Sequence, residues 1–273
     1  MKKIKFIKMN GAGNDFVFID GLSSRAAVTP SLARKMLDRH FGVGGDQMLV
    51  LGRGKNASSY KLSFYNSDGS TAEMCGNGAR AAGAYLHGVK GIKKDFSFQT
   101  KAGVIGINAI GGRITVNMGR PILEGKKIPT RGAGEIVNRP LKAGGKTFKI
   151  HAVSMGNPHC VIYVNDVKNF PVTTYGPLIE NHSFFPNRVN VEFVQILSKN
   201  RVRARVWERG AGETLACGTG ACAIMVAGAR VGKTSPSLAI DLPGGQLKAT
   251  WEKNGNVHLT GPAEISYEGE FYV

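Results

Sequence analysis

Apolar and polar residues alternate in two short stretches, residues 61–65 and 203–207, and an apolar block follows each stretch. Every second side chain in a stretch is apolar, which is typical of a β-strand with one buried face. The blocks, residues 79–86 and 221–229, are small and apolar on nearly all sides, which indicates a helix surrounded by other elements. The pattern predicts the same order of strands, helix and strands twice in one chain.

Further along each copy, residues 105–116 and 247–259 are predicted to form hairpins, with turns at Gly111-Gly112 and at residues 254–256. Residues 124–149 are rich in Gly, Lys and Pro, and this composition predicts a linker and surface excursion. No counterpart of that segment stands ahead of the first copy, so the chain is expected to divide near its middle.

A repeated motif supports this division. The sequence CGNGA begins at Cys75, and CGTGA begins at Cys217, 142 residues later. Other pairs recur at an offset of 142 or 143: Asn66 and Glu208, Gly103 and Gly245, Asn14 and Asn157, and Gln47 and Asn190. Self-similarity that holds its alignment across half a chain indicates a duplication. We therefore predict an α+β fold of two pseudo-symmetric domains, residues 1–121 and 122–261.

Both repeated cysteines precede the first turn of a predicted helix. Free N–H groups and the helix dipole stabilise an anion there, so a thiolate is favoured and a carboxylate can bind. Two acid–base groups of one type on opposite sides of a substrate suggest racemisation or epimerisation, since one thiolate removes a proton and the other thiol delivers one. One such motif alone would indicate a buried structural cysteine, but its repetition favours chemistry.

The remaining cysteines, Cys160 and Cys222, lack this setting and are predicted to be core residues. No two cysteines have the C-x-x-C spacing of a zinc site, and no other ligand pattern stands out. We therefore expect no metal.

The 273 residues include 36 Lys and Arg against 19 Asp and Glu, a formal net charge of +17. A charge of this size suggests nucleic-acid binding, but the basic residues are spread over both copies without a basic tail. Arg201, Arg203 and Arg205 alternate with apolar residues, as on a strand with one solvated face. We therefore expect no nucleic-acid partner, and keep a basic nucleic-acid-binding protein as the alternative from another class.

No run of about 18 apolar residues is present, so no membrane-spanning helix is expected. The first residues lack the unbroken apolar segment of an export signal, and four cysteines do not make a disulfide scaffold. These features favour a cytoplasmic protein without a membrane partner.

Seven stretches carry a resemblance to the diaminopimelate epimerase family: residues 8–16, 45–47, 66–70, 74–80, 156–160, 208–214 and 216–221. The resemblance extends over essentially the full length. It implies interconversion of LL- and meso-diaminopimelate without pyridoxal phosphate or another cofactor, in lysine and peptidoglycan precursor biosynthesis. It implies two domains, each a mixed sheet wrapped around a central helix, with the active site in the cleft between them. Residues 262–273 would return to the first domain, and a homodimer is expected.

The resemblance also assigns roles by position. Cys75 and Cys217 would be the acid–base pair, with His159 and Glu208 tuning the thiols. Backbone N–H groups of four residues would hold the reacting carboxylate: Gly76, Asn77, Gly218 and Thr219. The substrate pocket would be lined by Asn14, Gln47, Asn66, Asn157, Asn190, Glu208 and Arg209. Without the resemblance, His159 would be interpreted as a satisfied core histidine and the asparagines as turn residues.

The two copies differ where Asn66 corresponds to Glu208 and Ser67 to Arg209. Diaminopimelate has a second amino-acid centre that does not react, and its recognition requires broken symmetry. We expect Arg209 to bind the carboxylate of that centre through a fork that lysine cannot reproduce. Two alternatives stay open: another two-thiol racemase, acting for example on histidine or proline, and a redox switch in which Cys75 and Cys217 form a disulfide.

Overall fold

The computed structural model describes residues 3–23, 28–56, 58–110 and 113–273. None of the helices in these ranges is long and apolar enough to cross a bilayer. The predicted turn at Gly111-Gly112 lies outside the described residues.

The chain forms two compact units. The first unit comprises Met1–Asn117 and Thr260–Val273, and the second comprises Met118–Leu259. The halves expected from the repeat, residues 1–121 with 262–273 and residues 122–261, differ from these units by a few residues at each boundary.

The first unit is a mixed sheet with two helices. Its elements are β1 (Lys3–Gly11), β2 (Asn14–Asp20), α1 (Pro30–Leu37), β3 (Gln47–Arg53), β4 (Ser59–Asn66), β5 (Thr71–Ala72), α2 (Gly76–Gly88), β6 (Phe96–Thr100), β7 (Gly103–Ile110), β8 (Arg113–Asn117) and β18 (Glu264–Tyr272). The strand order is β18-β1-β2-β3-β4-β6-β7-β8, with β5 also paired to β4. The β2–β3 and β4–β6 pairs are parallel, and the others are antiparallel.

The second unit repeats this arrangement. Its elements are β9 (Arg139–Ala143), β10 (Lys146–Ser154), β11 (Pro158–Tyr163), α3 (Val172–Glu180), β12 (Asn190–Ser198), β13 (Arg201–Glu208), β14 (Gly212–Thr214), α4 (Gly218–Arg230), β15 (Ser237–Leu242), β16 (Gly245–Trp251) and β17 (Val257–Gly261), with a short 3-10 helix at Gly125–Lys127. The order β9-β10-β11-β12-β13-β15-β16 contains parallel pairs at β11–β12 and β13–β15.

The two units correspond element for element, down to the pairing of single residues. In the parallel β2–β3 pair of the first unit, Phe16 faces Gln47. In the parallel β11–β12 pair of the second unit, His159 faces Asn190. Both residues of the second pair lie 143 positions after their counterparts. The backbone pairing therefore carries the duplication that the sequence indicates. The fold is α+β, with two pseudo-symmetric units that each contain a mixed sheet and a buried helix.

The prediction of a linker at residues 124–149 is wrong. This segment contains β9 and the start of β10, and Ile128, Ile136 and Leu141 are buried. The segment also has a counterpart, because β9 pairs antiparallel with β10 as β18 pairs with β1. The strand β9 was not predicted because it has only two buried positions in five residues. Such a short alternation is not distinctive in a segment rich in glycine and lysine.

Helices α2 and α4 form the centre of their units. The helix α2 packs against β1, β7 and β8, and α4 packs against β10, β11 and β16. Small residues allow this close approach, because a methyl group at Gly83 would lie only 2.8 Å from Cγ2 of Ile114. Burial of all sides explains why these helices are apolar all round.

Replacement of Gly83 by alanine should lower the free energy of unfolding by about 1–3 kcal/mol, because the added methyl group overpacks the core. Gly88→Ala at the end of the same helix is the matched control, since among the described residues no atom outside its own stretch of helix lies within 4 Å of the added methyl group. Urea unfolding of both variants measures the difference. Equal free energies of unfolding for the two variants would show that the sheet shifts to accommodate the methyl group at position 83 without a measurable cost.

The stability of the second unit should depend on pH through His151. This side chain on β10 is 2% exposed, and burial, with a smaller contribution from Lys233, lowers its pKa from 6.5 to about 4. The unfolded chain therefore takes up this proton first as the pH falls. We expect the free energy of unfolding to drop by about 3 kcal/mol between roughly pH 6.5 and 4 from this group. The slope should be smaller in His151→Gln, and an unchanged slope would contradict the assignment.

Candidate active site

Cys75 is the N-cap residue of α2. Its backbone is extended (φ −138°, ψ 117°), and its Sγ accepts a hydrogen bond from the N–H of Gly78 at 3.4 Å. The side chain is half-buried. The sulfur therefore lies at the end of the helix where free N–H groups and the dipole favour a negative charge.

A chain of hydrogen bonds with charged ends holds the Cys75 sulfur. Cys75 Sγ donates to Oδ1 of Asn14 at 3.6 Å, and Asn77 Nδ2 donates to the same oxygen at 3.4 Å. Arg80, fully buried, donates to Oδ1 of Asn77 at 2.8 Å. At the other end, Asn14 Nδ2 donates to Asp46 at 2.7 Å. Arginine only donates and an ionised carboxylate only accepts, so both amide orientations are fixed.

Asp15 and Asp46 lie at the carboxylate end of this network. Arg39 donates to both carboxylates, at 2.7 Å and 2.8 Å, and Lys8 binds Asp15 at 2.6 Å. Burial alone would raise the pKa of Asp15, but the hydrogen bonds from Arg39 and Lys8 outweigh it and hold the pKa well below its usual range. The segment that carries Asn14 is thus anchored by the Asp15 carboxylate, which stays ionised.

The other residues predicted for the first copy lie at the same edge of the sheet. Gln47 starts β3 and Asn66 ends β4, where they are register partners, and Gln47 Nε2 donates to Asn66 Oδ1 at 2.9 Å. Gly76 and Asn77 form the first turn of α2 and are buried. The structure therefore places Asn14, Gly76 and Asn77 next to Cys75. It places Gln47 and Asn66 together at the ends of β3 and β4.

Cys217 is the N-cap residue of α4, with the same extended backbone (φ −122°, ψ 115°). It is 4% exposed, and its Sγ lies 3.5 Å from the hydroxyl of Thr219. Burial raises the pKa of the Cys217 thiol well above its usual value, and the carboxylates of Glu208 and Glu192 add to the rise. The two cysteines thus share a backbone position and differ in surroundings.

A line of polar side chains leads away from Cys217 into the core. Asn157 Nδ2 donates to Thr219 Oγ1 at 3.2 Å, and Asn157 Oδ1 lies 3.0 Å from His159 Nε2. His159 Nδ1 lies 2.6 Å from Oε1 of Glu192, and both side chains are fully buried. Burial raises the pKa of Glu192, and the charge and hydrogen bond of His159 oppose this rise.

Asn190 and Arg209 are joined at the ends of β12 and β13. The backbone N–H of Arg209 donates to Asn190 Oδ1 at 2.9 Å, and its guanidinium donates to the carbonyl of Asn187 at 3.1 Å. Glu208 accepts a hydrogen bond from Thr214 at 2.6 Å. The Arg209 side chain is exposed, so other guanidinium donors face solvent.

Sequence reasoning missed Glu180, a residue that anchors the segment carrying Glu208 and Arg209. This α3 carboxylate is 5% exposed and accepts from Trp207 Nε1 at 2.7 Å and from the N–H of Gly210 at 2.9 Å. It also accepts from Arg188 at 3.2 Å. These bonds fix both sides of the turn after β13.

Glu192 was also missed, and one signal could have revealed both acids. At an offset of 143, Glu180 corresponds to Leu37 and Glu192 to Leu49. A carboxylate in the place of a buried leucine in the other copy requires a polar partner in its own unit. A comparison of the two copies at their apolar positions would therefore have identified both residues.

The other two cysteines, Cys160 and Cys222, are fully buried, and burial raises the pKa of the Cys160 thiol. All four cysteines are in the reduced form. Within the described ranges, no group of three or more His, Cys, Asp or Glu side chains is arranged to hold a metal ion.

Comparison with characterised proteins gives a consistent set of relatives. The family profile described as Diaminopimelate epimerase matches residues 6–124 and 151–266. Diaminopimelate epimerase of Leptospira biflexa is 47% identical, with 98% of this chain and 99% of the relative covered. The enzyme of the same name from Magnetococcus marinus is 45% identical, with 97% and 96% covered.

Solved structures with low sequence identity share the fold. A phenazine biosynthesis protein of Bacillus anthracis superposes with a TM-score of 0.71 at 16% identity and covers 100% of both chains. A hydroxyproline epimerase of Agrobacterium vitis superposes with a TM-score of 0.70 at 13% identity, covering 99% of this chain and 91% of its own. Taken with the profile match and the close relatives, the chain belongs to the diaminopimelate epimerase family.

Proposed function

We propose that the protein epimerises LL-2,6-diaminopimelate to meso-diaminopimelate, and the reverse, without a cofactor. The observation that carries this proposal is the pair of N-cap cysteines, one in each copy of the fold, in a chain of this family. The product serves lysine and peptidoglycan precursor biosynthesis.

Cys75 and Cys217 are the acid–base pair of this reaction. One sulfur, as a thiolate, takes the proton of the α-carbon, and the electron pair of the broken C–H bond spreads into the carboxylate. The other sulfur, as a thiol, then gives its proton to the opposite face of that carbon. The proposal requires both sulfurs to reach the same carbon, and it needs no change of oxidation state.

Backbone N–H groups bind the reacting carboxylate in this proposal. Those of Gly76 and Asn77 in α2, and of Gly218 and Thr219 in α4, belong to first turns without partners inside the helix. Donors aimed at the oxygens where charge develops stabilise the carbanion.

Polar side chains bind the rest of the substrate. Asn14, Gln47 and Asn66 from the first unit, and Asn157, Asn190, Glu208 and Arg209 from the second, supply donors and acceptors for two amino groups and two carboxylates. His159 and Glu208 tune the thiols. The exposed guanidinium of Arg209 binds the carboxylate of the centre that does not react.

Incubation with LL-diaminopimelate in deuterated water under reducing conditions tests the function. The meso isomer should appear with deuterium at the inverted α-carbon, and a chelator should not change the rate. Proline and histidine serve as comparison substrates for the alternative two-thiol racemases. Absence of both exchange and meso product would refute the proposal.

We also propose a homodimer. The strand β18 carries Ile265 and Tyr267, and they are 41% and 48% exposed. Neighbouring exposed apolar side chains favour burial against a second copy. Sedimentation should give the dimer mass, and Tyr267→Glu should shift the protein towards the monomer.

We place the reaction in the cytoplasm, because both thiols must be reduced to act. The cytosol keeps cysteines in that state, whereas oxidising compartments form disulfides. Activity should therefore be lost on oxidation and restored by a thiol reductant.

A further inference from the structure

Two of the differences between the copies lie at one corner of the second unit. Ser67 of the first copy corresponds to Arg209, and Leu37 corresponds to Glu180, at offsets of 142 and 143. In the first unit, Leu37 belongs to a core cluster of apolar side chains. In the second unit, Glu180 is buried and accepts hydrogen bonds from side-chain and backbone donors. A buried polar group costs free energy unless it is paired, so its presence in place of a leucine indicates a role specific to this unit.

Glu180 holds the turn after β13 from both ends. Its Oε2 accepts from Nε1 of Trp207 at 2.7 Å, and its Oε1 accepts from the N–H of Gly210 at 2.9 Å. Glu208 and Arg209 are the two residues between these bonds. The directions of their side chains therefore depend on where the helix α3 places one carboxylate.

The helix α3 also packs directly against the indole of Trp207. A methyl group at Gly176 would lie 2.5 Å from Cγ of this ring. Gly176 and Glu180 are four residues apart, so they lie on the same face of the helix. The helix backbone meets the ring at one turn, and the Glu180 carboxylate binds the ring nitrogen at the next. Two contacts one turn apart fix the end of β13 against α3.

A second path leads from Glu180 to the guanidinium of Arg209. Arg188 Nη1 donates to Glu180 Oε1 at 3.2 Å, and the Arg188 backbone is left-handed, with a φ of 59°. This conformation is uncommon outside glycine and persists where the surroundings impose it. The φ angle of Arg188 orients the peptide bond before it, whose carbonyl belongs to Asn187. That carbonyl accepts from Arg209 Nη1 at 3.1 Å, so Glu180 acts on both the backbone and the side chain of Arg209.

We propose that Glu180 is a positioning residue that aims the guanidinium of Arg209 at the carboxylate of the centre that does not react. In this role it binds no reacting atom and acts through Trp207, Gly210 and Arg188. A guanidinium already held in one orientation loses less conformational freedom when a carboxylate binds, so the affinity is higher. The inference rests on the proposed function for the identity of that carboxylate.

Glu180→Gln tests this role, because glutamine has nearly the same shape and its amide nitrogen only donates. That nitrogen cannot accept from Trp207 or from Gly210. We expect KM for diaminopimelate to rise about tenfold while kcat stays within about threefold, the pattern of lost binding. Glu135→Gln is the matched control, since its carboxylate accepts from Arg230, the last residue of α4, at 2.8 Å. It should leave KM unchanged.

The dependence on Arg209 separates positioning from a general loss of structure. In the Arg209→Lys background, Glu180→Gln should raise KM less than about threefold, because the guanidinium that it aims is already absent. Steady-state kinetics of the unmodified protein, the two single variants and the double variant measures this difference. An equal rise in KM in both backgrounds would overturn the proposal, as would an unchanged KM in Glu180→Gln.

Trp207→Phe provides the test if Glu180→Gln does not fold. Phenylalanine keeps a ring against Gly176 and removes the Nε1 donor, so we expect a smaller rise in KM, again only with Arg209 present. An equal rise with arginine and with lysine at position 209, or no rise at all, would count against the positioning in the same way.

Hydrogen exchange of the free protein separates this inference from the proposed function. In Glu180→Gln, the amides of Arg209 and Gly210 should exchange about tenfold faster, because their hydrogen bonds depend on the placement of the turn. Amides of β16 in the same unit serve as the reference and should not change. Unchanged exchange at both amides would overturn the positioning even if diaminopimelate is epimerised. Absence of epimerisation would refute the function and the identity of the carboxylate, but not the positioning.

Discussion

Replacement of Cys217 by alanine should lower kcat/KM for diaminopimelate by about 10⁴-fold, the upper range for loss of a general acid or base. Cys75→Ala should have the same effect, because each direction of the reaction needs one thiolate and one thiol. Cys222→Ala is the matched control, since it removes another buried thiol from α4, five residues beyond Cys217. Its activity should stay within a few-fold of the unmodified protein.

Isotope exchange makes this prediction sharper. A variant with one remaining thiol can still remove a proton and return deuterium to the same face, so it should exchange without inversion. Each variant should do so with only one of the two isomers, and the two variants should select opposite isomers. Selection of the same isomer by both, or inversion by either, would rule out the two-sulfur mechanism.

Arg209→Lys should lower kcat/KM by roughly 10- to 100-fold, mainly through KM, because a charge-assisted bond of about 1.5–3 kcal/mol is weakened. Lysine keeps the charge and loses the planar fork that matches a carboxylate. The backbone of Arg209 is fixed by Asn190, at 2.9 Å, so the loss falls on the side chain.

Steady-state kinetics with diaminopimelate measures this effect. Arg203→Lys on β13 is the matched control, since it makes the same substitution at a position outside the proposed pocket. It should leave KM unchanged. An unchanged kcat/KM in Arg209→Lys would show that Arg209 does not bind the carboxylate of the centre that does not react.

The duplication and both cysteine positions could be predicted from the sequence, because they depend on local features. An N-cap residue and the glycines of a first turn stand next to one another in the chain, and the repeat shows the pattern twice. The strand pairing of β9 was missed, because its equivalence to β18 depends on partners that are distant in sequence.

The buried charged residues were also not predicted from the sequence, for a similar reason. Arg80, Glu180 and Glu192 each depend on partners that the fold brings together. The basic face of β13 shows the same limit. It was interpreted as solvated, but Arg205 donates to Glu213 at 2.6 Å and to the carbonyl of Phe170 at 2.8 Å, and Arg201 binds Asp241 at 2.9 Å.

The edge strand of the first sheet is β18, whereas its counterpart in the second sheet is β9. This difference has a consequence for synthesis on the ribosome. Every strand of the second sheet from β9 to β16 is contiguous in sequence, so that sheet can pair fully as it emerges. The first sheet waits for β18, which is translated after all of them. Until then, β1 presents nine residues of open edge, the kind of surface on which nascent chains associate wrongly. The half of the protein that is made first is thus the half that is completed last.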